Sequence, residues 1–194
     1  MTEKPRFPIF GIPLLIILVA LDQLSKHIVM QNLRLYEGIP VLGHYFRISY
    51  VLNPGGAFST SFGGASFYII VGSIATAMVI LYIVFSRERN RAMQLSLFAI
   101  LSGAVGNLID RIRFGQVVDW IDVGIGSTRW PTFNIADSAI VVGLIILIFA
   151  GSKSERENRK DKGSEGDEAD EAGHISGNVG AGSEPEPDSE TDSR

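Results

Sequence analysis

The chain contains no cysteine. That excludes a thiol nucleophile, a disulfide and a thiolate metal site. Histidine is scarce too: His27, His44 and His174 are scattered without ligand spacing, so no metal site is expected. There is no G-x-S-x-G nucleophile elbow. Ser25 and Lys26 are adjacent, so on a helix they point about 100° apart and do not readily form a Ser–Lys dyad. The segment after Gly151 lacks the apolar residues that build a core. Its thirteen acidic and six basic residues make it about −7, and the preceding part about +3, against −4 for the whole. Low hydrophobicity with high charge cannot offset the entropy of ordering, and residues 152–194 are expected to form a disordered acidic tail.

What is present lies before that tail. The mean hydropathy of +0.22 averages two unlike parts, and residues 1–151 hold four apolar stretches near the roughly 20 residues a helix needs to cross a bilayer. They run over about 7–29, 67–85, 92–109 and 133–150. Lys4 and Arg6 before the first run could suggest a cleaved leader, but no small-x-small site follows and the run continues into Asp22 and Lys26. The expected fold is an all-α membrane protein of four transmembrane helices. Lys4 and Arg6, then Arg87, Arg89 and Arg91, then Lys153, Arg156, Arg159, Lys160 and Lys162 occupy three segments that must share one side. The positive-inside rule makes that side cytoplasmic and places both termini there. Loops 30–66 and 110–132 then face outward. HYFRISYVL followed by NPGGAF suggests a small β element on the outer face, with Tyr45, Phe46, Tyr50, Trp120 and Trp130 near the interface.

The carboxylates of the embedded part gather at one depth. Asp22 lies about 22 Å along the first span, toward its outer end, with Lys26 one turn later. Asn107, Asp110 and Arg111 reach the outer end of the third span, Asn134 and Asp137 begin the fourth, and Asp119 and Asp122 precede it. Ionisable residues at membrane depth are costly and mark candidate sites. Each also has a plainer reading. Asp22 and Lys26 suit a helix ion pair, Asn134 and Asp137 a capping box, and Asp110 with Arg111 a snorkelling pair. Asp122 could be solvated, Asn53 could belong to a turn, and Gly103 with Gly106 could serve close helix packing.

Two carboxylates facing one water supply a general acid and a general base without metal, thiol or serine. Repulsion between them keeps one protonated near neutrality. An ion-coupled transporter is a second class of reading, but such sites usually lie near the midplane between repeated, broken helices. Here the acids sit at one interface and no repeat relates the two halves. A membrane scaffold that recruits a partner through its tail is a third.

Five blocks in order, DQLSK at 22–26, NPGGAF at 53–58, GAVGNLIDR at 103–111, VVDW at 117–120 and FNIAD at 133–137, resemble the bacterial lipoprotein signal peptidase (signal peptidase II) family over about residues 10–150. The resemblance implies a membrane aspartic endopeptidase that cleaves diacylglyceryl-modified prolipoproteins on the amino side of the lipidated cysteine. It implies Asp119 and Asp137 as the catalytic pair. Asp22, Lys26, Asn53, Gly56, Asn107, Asp110, Arg111, Asn134 and Ala136 match positions that shape or support the site. No cofactor and no nucleic acid is implied. The expected setting is the bacterial inner membrane, with prolipoprotein and membrane lipid as partners and the chain as a monomer. Two departures are small: Gly56 stands where alanine is common, and Trp120 where phenylalanine is frequent.

Overall fold

The computed structural model describes residues 9–55, 64–86 and 90–152. The expectations for Gly56, for most of the flanking basic residues and for the acidic tail fall outside those residues. Among the described residues nine elements follow in order. A short 3-10 turn, Ile9–Gly11, leads into α1, Ile12–Asn32. Then come β1, Gly38–Leu42; β2, Phe46–Asn53; α2, Gly64–Phe85; and α3, Arg91–Phe114. The order closes with β3, Val117–Ile125; β4, Thr128–Arg129; and α4, Ile135–Ser152.

All four helices are long and apolar enough to cross a membrane, as the hydrophobic runs predict. Their burial is unequal. Half of the most apolar stretch of α3 is covered by protein, against 17%, 11% and 17% for α1, α2 and α4. The third helix is therefore the pivot on which the others pack. Those others expose Ile16, Ile17 and Leu24, then Ile70, Ile74 and Met78, then Val141, Ile145 and Phe149. So continuous an apolar exterior suits acyl chains rather than water.

Local chemistry sets the ends of α3. The Asn90 side chain accepts the N–H groups of Ala92 and Met93 at 2.9 and 3.4 Å, satisfying donors that have no partner within the helix. At the other end Gly115 adopts φ 72° and returns its N–H to the Arg111 carbonyl at 2.9 Å. The hydropathy pattern ends this helix near residue 109. The helix instead runs on to Phe114, just before the glycine that ends it, and so carries Asp110 and Arg111.

Two packing zones hold the bundle. Away from the sheet, Ile83, Leu97, Phe98 and Leu101 form a buried cluster with Ile12, Leu14, Val79 and Leu147. Nearer the sheet, α3 and α4 meet through small residues. A side chain at Gly103 would run into the Ala136 carbonyl, and a Cβ at Gly106 would lie 2.7 Å from Asp22 Oδ2. Without a hydrophobic drive inside lipid, such close backbone approach is what lets helices associate.

The β element is larger than the sequence suggests. The four strands form one antiparallel sheet in the order β1-β2-β3-β4. Only β2 was legible as a strand; residues 117–125 read as loop because Asp119 and Asp122 interrupt the apolar alternation. A bulge between Ile48 and Val51 shifts the β2–β3 register, so Val51 faces Asp119 and Asn53 faces Val117. Phe133 then bridges to Ile121, exchanging hydrogen bonds of 2.7 and 3.1 Å, and fixes the start of α4 against β3.

Candidate active site

The polar residues converge where the sheet meets the helix ends. At the base lies a buried ion triad. Lys26 Nζ is 2.8 Å from Asp22 Oδ2 and 2.8 Å from Asp110 Oδ2, and all three side chains are 1% exposed. Asn107 Oδ1 accepts a further bond from Nζ at 3.3 Å. The i,i+4 pairing of Asp22 with Lys26 follows from their spacing. The second carboxylate, from α3, does not. Asp110 and Arg111 do not form the snorkelling pair that adjacency suggests. Asp110 turns inward to Lys26, whereas Arg111 donates to the carbonyls of Gly55 at 3.2 Å and Asn107 at 3.4 Å and lies 5.9 Å from the Tyr68 ring centroid.

Each triad carboxylate also reaches beyond the triad. Asp22 Oδ1 accepts the backbone N–H of Ala136 at 2.9 Å, and Asp110 Oδ2 accepts that of Val118 at 3.1 Å. Ala136 immediately precedes Asp137, and Val118 immediately precedes Asp119. One buried lysine thus anchors, through two acids, the backbone on which both candidate aspartates stand.

Above the triad, three asparagines organise those two aspartates. Asn134 Nδ2 donates to Asp119 Oδ1 at 2.7 Å and lies 3.2 Å from Asn107 Oδ1. Asn107 Nδ2 donates in turn to Asp137 Oδ1 at 2.8 Å. Asn53 Nδ2 donates to Asp119 Oδ2 at 3.0 Å, while its own Oδ1 accepts the Gly55 N–H at 3.0 Å in a tight turn. The capping box foreseen at 134–137 is present and reciprocal. Asp137 N–H donates to Asn134 Oδ1 at 2.8 Å, and Asn134 N–H donates to Asp137 Oδ2 at 3.3 Å. Capping and site-building are therefore done by the same side chains.

The electrostatics of Asp119 follow from this setting. Burial pushes its carboxyl up, and the neighbouring Asp137 charge adds to the effect. Hydrogen bonds from Asn53 and Asn134 and the charge of Lys26 oppose the shift, leaving Asp119 at about 7. An acid poised there can hold or release a proton near neutrality.

Asp122, whose plainer reading is a solvated side chain, is buried instead. Arg129 from β4 reaches its Oδ1 from Nε at 2.8 Å and from Nη2 at 2.7 Å, and Ser49 Oγ donates to its Oδ2 at 3.3 Å. Arg129 also donates to the His44 carbonyl across the sheet. Among the residues that sequence reasoning did not single out are Arg129, Ser49 and Gln23. Gln23 lies within the DQLSK block, and only the folded arrangement shows what it touches.

The chain is similar to known proteins over most of its length. The family model described as signal peptidase (SPase) II matches residues 14–152. The lipoprotein signal peptidase of Desulforapulum autotrophicum is 42% identical over 139 residues, covering 69% of this chain and 85% of that protein. The lipoprotein signal peptidase of Geobacter metallireducens is 42% identical over 156 residues, covering 79% of this chain and 96% of its own. Among solved structures, a bacterial membrane enzyme determined at 2.3 Å by the in meso method superposes with a TM-score of 0.71 at 31% identity. That match covers 80% of this chain and 94% of the other.

Proposed function

We propose that this chain, which belongs to the lipoprotein signal peptidase (signal peptidase II) family, cleaves its substrate with Asp119 and Asp137 as an aspartic pair. The family removes signal peptides from lipoprotein precursors, and that is the activity of this chain. The observation that carries the mechanism is the amide bridge Asp119–Asn134–Asn107–Asp137, which holds two carboxyls in one electrostatically coupled site.

The two acids share one proton near neutral pH. The ionised member takes a proton from water as the water attacks the peptide carbonyl. The protonated member donates to the developing oxyanion, and the proton is passed to the leaving amine as the tetrahedral adduct collapses. Asn134 and Asn107 fix the carboxylate planes by hydrogen bonding, which lowers the reorganisation needed in the transition state. Asp22, Lys26 and Asp110 act below them as supports. Arg111 holds the 53–55 turn that carries Asn53, the second donor to Asp119.

The scissile bond in this reading lies on the amino side of a diacylglyceryl cysteine. The site sits at the ends of spanning helices beside a sheet, so the acyl chains can stay among the apolar exteriors of the helices while the peptide reaches the aspartates. That end of the bundle faces outward in a bacterial inner membrane if both termini are cytoplasmic, as the basic flanks favour. Monomeric action is part of the reading, since both aspartates and their donors come from one chain. The test is prolipoprotein cleavage in membranes by Asp119→Asn and Asp137→Asn variants. Both should leave the precursor intact, and full cleavage by either would reject the pair.

A further inference from the structure

We infer that Gln23 is a positioning residue for the cleavage reaction, acting by clipping together the two carboxylates that support the catalytic pair. The inference rests on the Asp119–Asp137 reading above.

Gln23 Nε2 donates to Asp110 Oδ1 at 2.9 Å and lies 3.2 Å from both Asp22 Oδ2 and the Gly106 carbonyl. It therefore joins α1 to α3, across 87 residues of sequence, as a second link between the acids that Lys26 already pairs. The chemistry explains why this link is an amide. Two buried carboxylates face one ammonium, and their remaining lone pairs still need donors. A second cation would change the charge beside the catalytic pair, whereas an amide supplies N–H groups without charge.

The consequence runs through two backbone bonds. Asp22 and Asp110 hold the N–H groups of Ala136 and Val118, one residue before Asp137 and Asp119 respectively. Their carboxylate planes thus set where both catalytic side chains begin. Lys26 fixes the carboxylates by charge, which tolerates rotation; Gln23 adds a directional bond to Asp110 that resists it. Loss of the amide lets the two acids turn about Lys26 and loosens the spacing of the catalytic pair. Misplacement on this scale acts on the chemical step more than on substrate binding.

The experiment compares the parent, Gln23→Met, Gln23→Glu and Asp119→Asn as purified full-length proteins in detergent. The substrate is a synthetic peptide with a diacylglyceryl cysteine, and rates are normalised to folded protein. Methionine keeps the length and packing volume but removes the donor. The expected result is a kcat about tenfold lower for Gln23→Met with KM within about twofold. A Gln23→Met enzyme with parental kcat would overturn the inference. Gln23→Glu at pH 8, where an acceptor replaces the donor, gives an independent reading and should fall at least as far as Gln23→Met; a parental rate also overturns the inference. An active Asp119→Asn enzyme would instead remove the catalytic reading itself, so the two failures are distinguishable.

Discussion

Asp22 and Ala136 lie 114 residues apart in the chain, yet the Asp22 carboxylate accepts the Ala136 backbone N–H at 2.9 Å. The first turn of α4, with Asn134 and Asp137 on it, is therefore held in place by α1. Asp22 is itself held by Lys26, which also pairs with Asp110. The ion triad and the proposed catalytic aspartates are linked by short hydrogen-bonded steps, and each step can be broken separately.

Removing the central cation is the most severe of these changes for stability. Lys26→Met leaves Asp22 and Asp110 buried at 1% exposure and facing each other without a counter-ion. Breaking one side of a buried ion pair costs about 3–5 kcal/mol. Thermal unfolding in detergent should show a large loss, and a variant with the parental midpoint would contradict the triad's supporting role.

The Asn134 side chain combines two duties that substitution can separate. Asn134→Ala removes the cap on α4 and the donor to Asp119, whereas Asn134→Ser keeps a capping oxygen. Serine should recover most of the capping energy, about 1 kcal/mol, without restoring the bond to Asp119. The expected outcome is near-parental stability with cleavage about 10–1,000-fold reduced, measured by thermal unfolding and by kcat on one preparation.

Asp119 gives a signed pH dependence. Its carboxyl stands at about 7 when folded, against an ordinary value of 3.8, so between those values the folded state binds more protons than the unfolded one. Stability from this group is present below about pH 4 and is lost as pH rises through about 7. Asp119→Asn removes that slope. Its unfolding midpoint should gain on the parent between pH 5 and pH 8, and a constant difference would contradict the raised value. In the parent, kcat/KM should fall above about pH 7 as the shared proton is lost.

Two glycines on α3 should differ in tolerance. At Gly103 an added methyl meets the Ala136 carbonyl, which is backbone and cannot swing away. At Gly106 it meets the Asp22 carboxylate at 2.7 Å and the Ala136 methyl at 3.2 Å. Overpacking costs about 1–3 kcal/mol, and Gly103→Ala should be at or above the top of that range. Gly106→Ala should be milder in stability but should reduce cleavage, because it displaces a supporting carboxylate. Melting points and rates of both variants check the ordering.

The parts of this fold that sequence reveals are those governed by short-range rules. Span length is set by bilayer thickness, so the four helices were legible. The Asn134–Asp137 box and the Asp22–Lys26 pair were legible because both close within one helical turn. Spacing alone, however, makes Asp137 a cap, and its catalytic assignment came from the motif resemblance. What could not be read depends on contacts distant in sequence. Asp110 completes the triad from another helix, Asn53 reaches Asp119 across 66 residues, and Asp122 finds Arg129 on the next strand. The third strand was hidden for a related reason. Its acids look like loop residues until β2, Arg129 and the asparagines supply the partners that let them be buried.

The central claim is that Asp119 and Asp137 act as one unit on water. The most direct measurement is kcat/KM for purified Asp119→Asn, Asp137→Asn and the double variant on a diacylglyceryl-cysteine peptide. If the pair is a unit, each single change should lower the rate by about 10³-fold or more, and the double variant should fall little further. A single variant that retains near-parental turnover, or losses that multiply in the double variant, would contradict it.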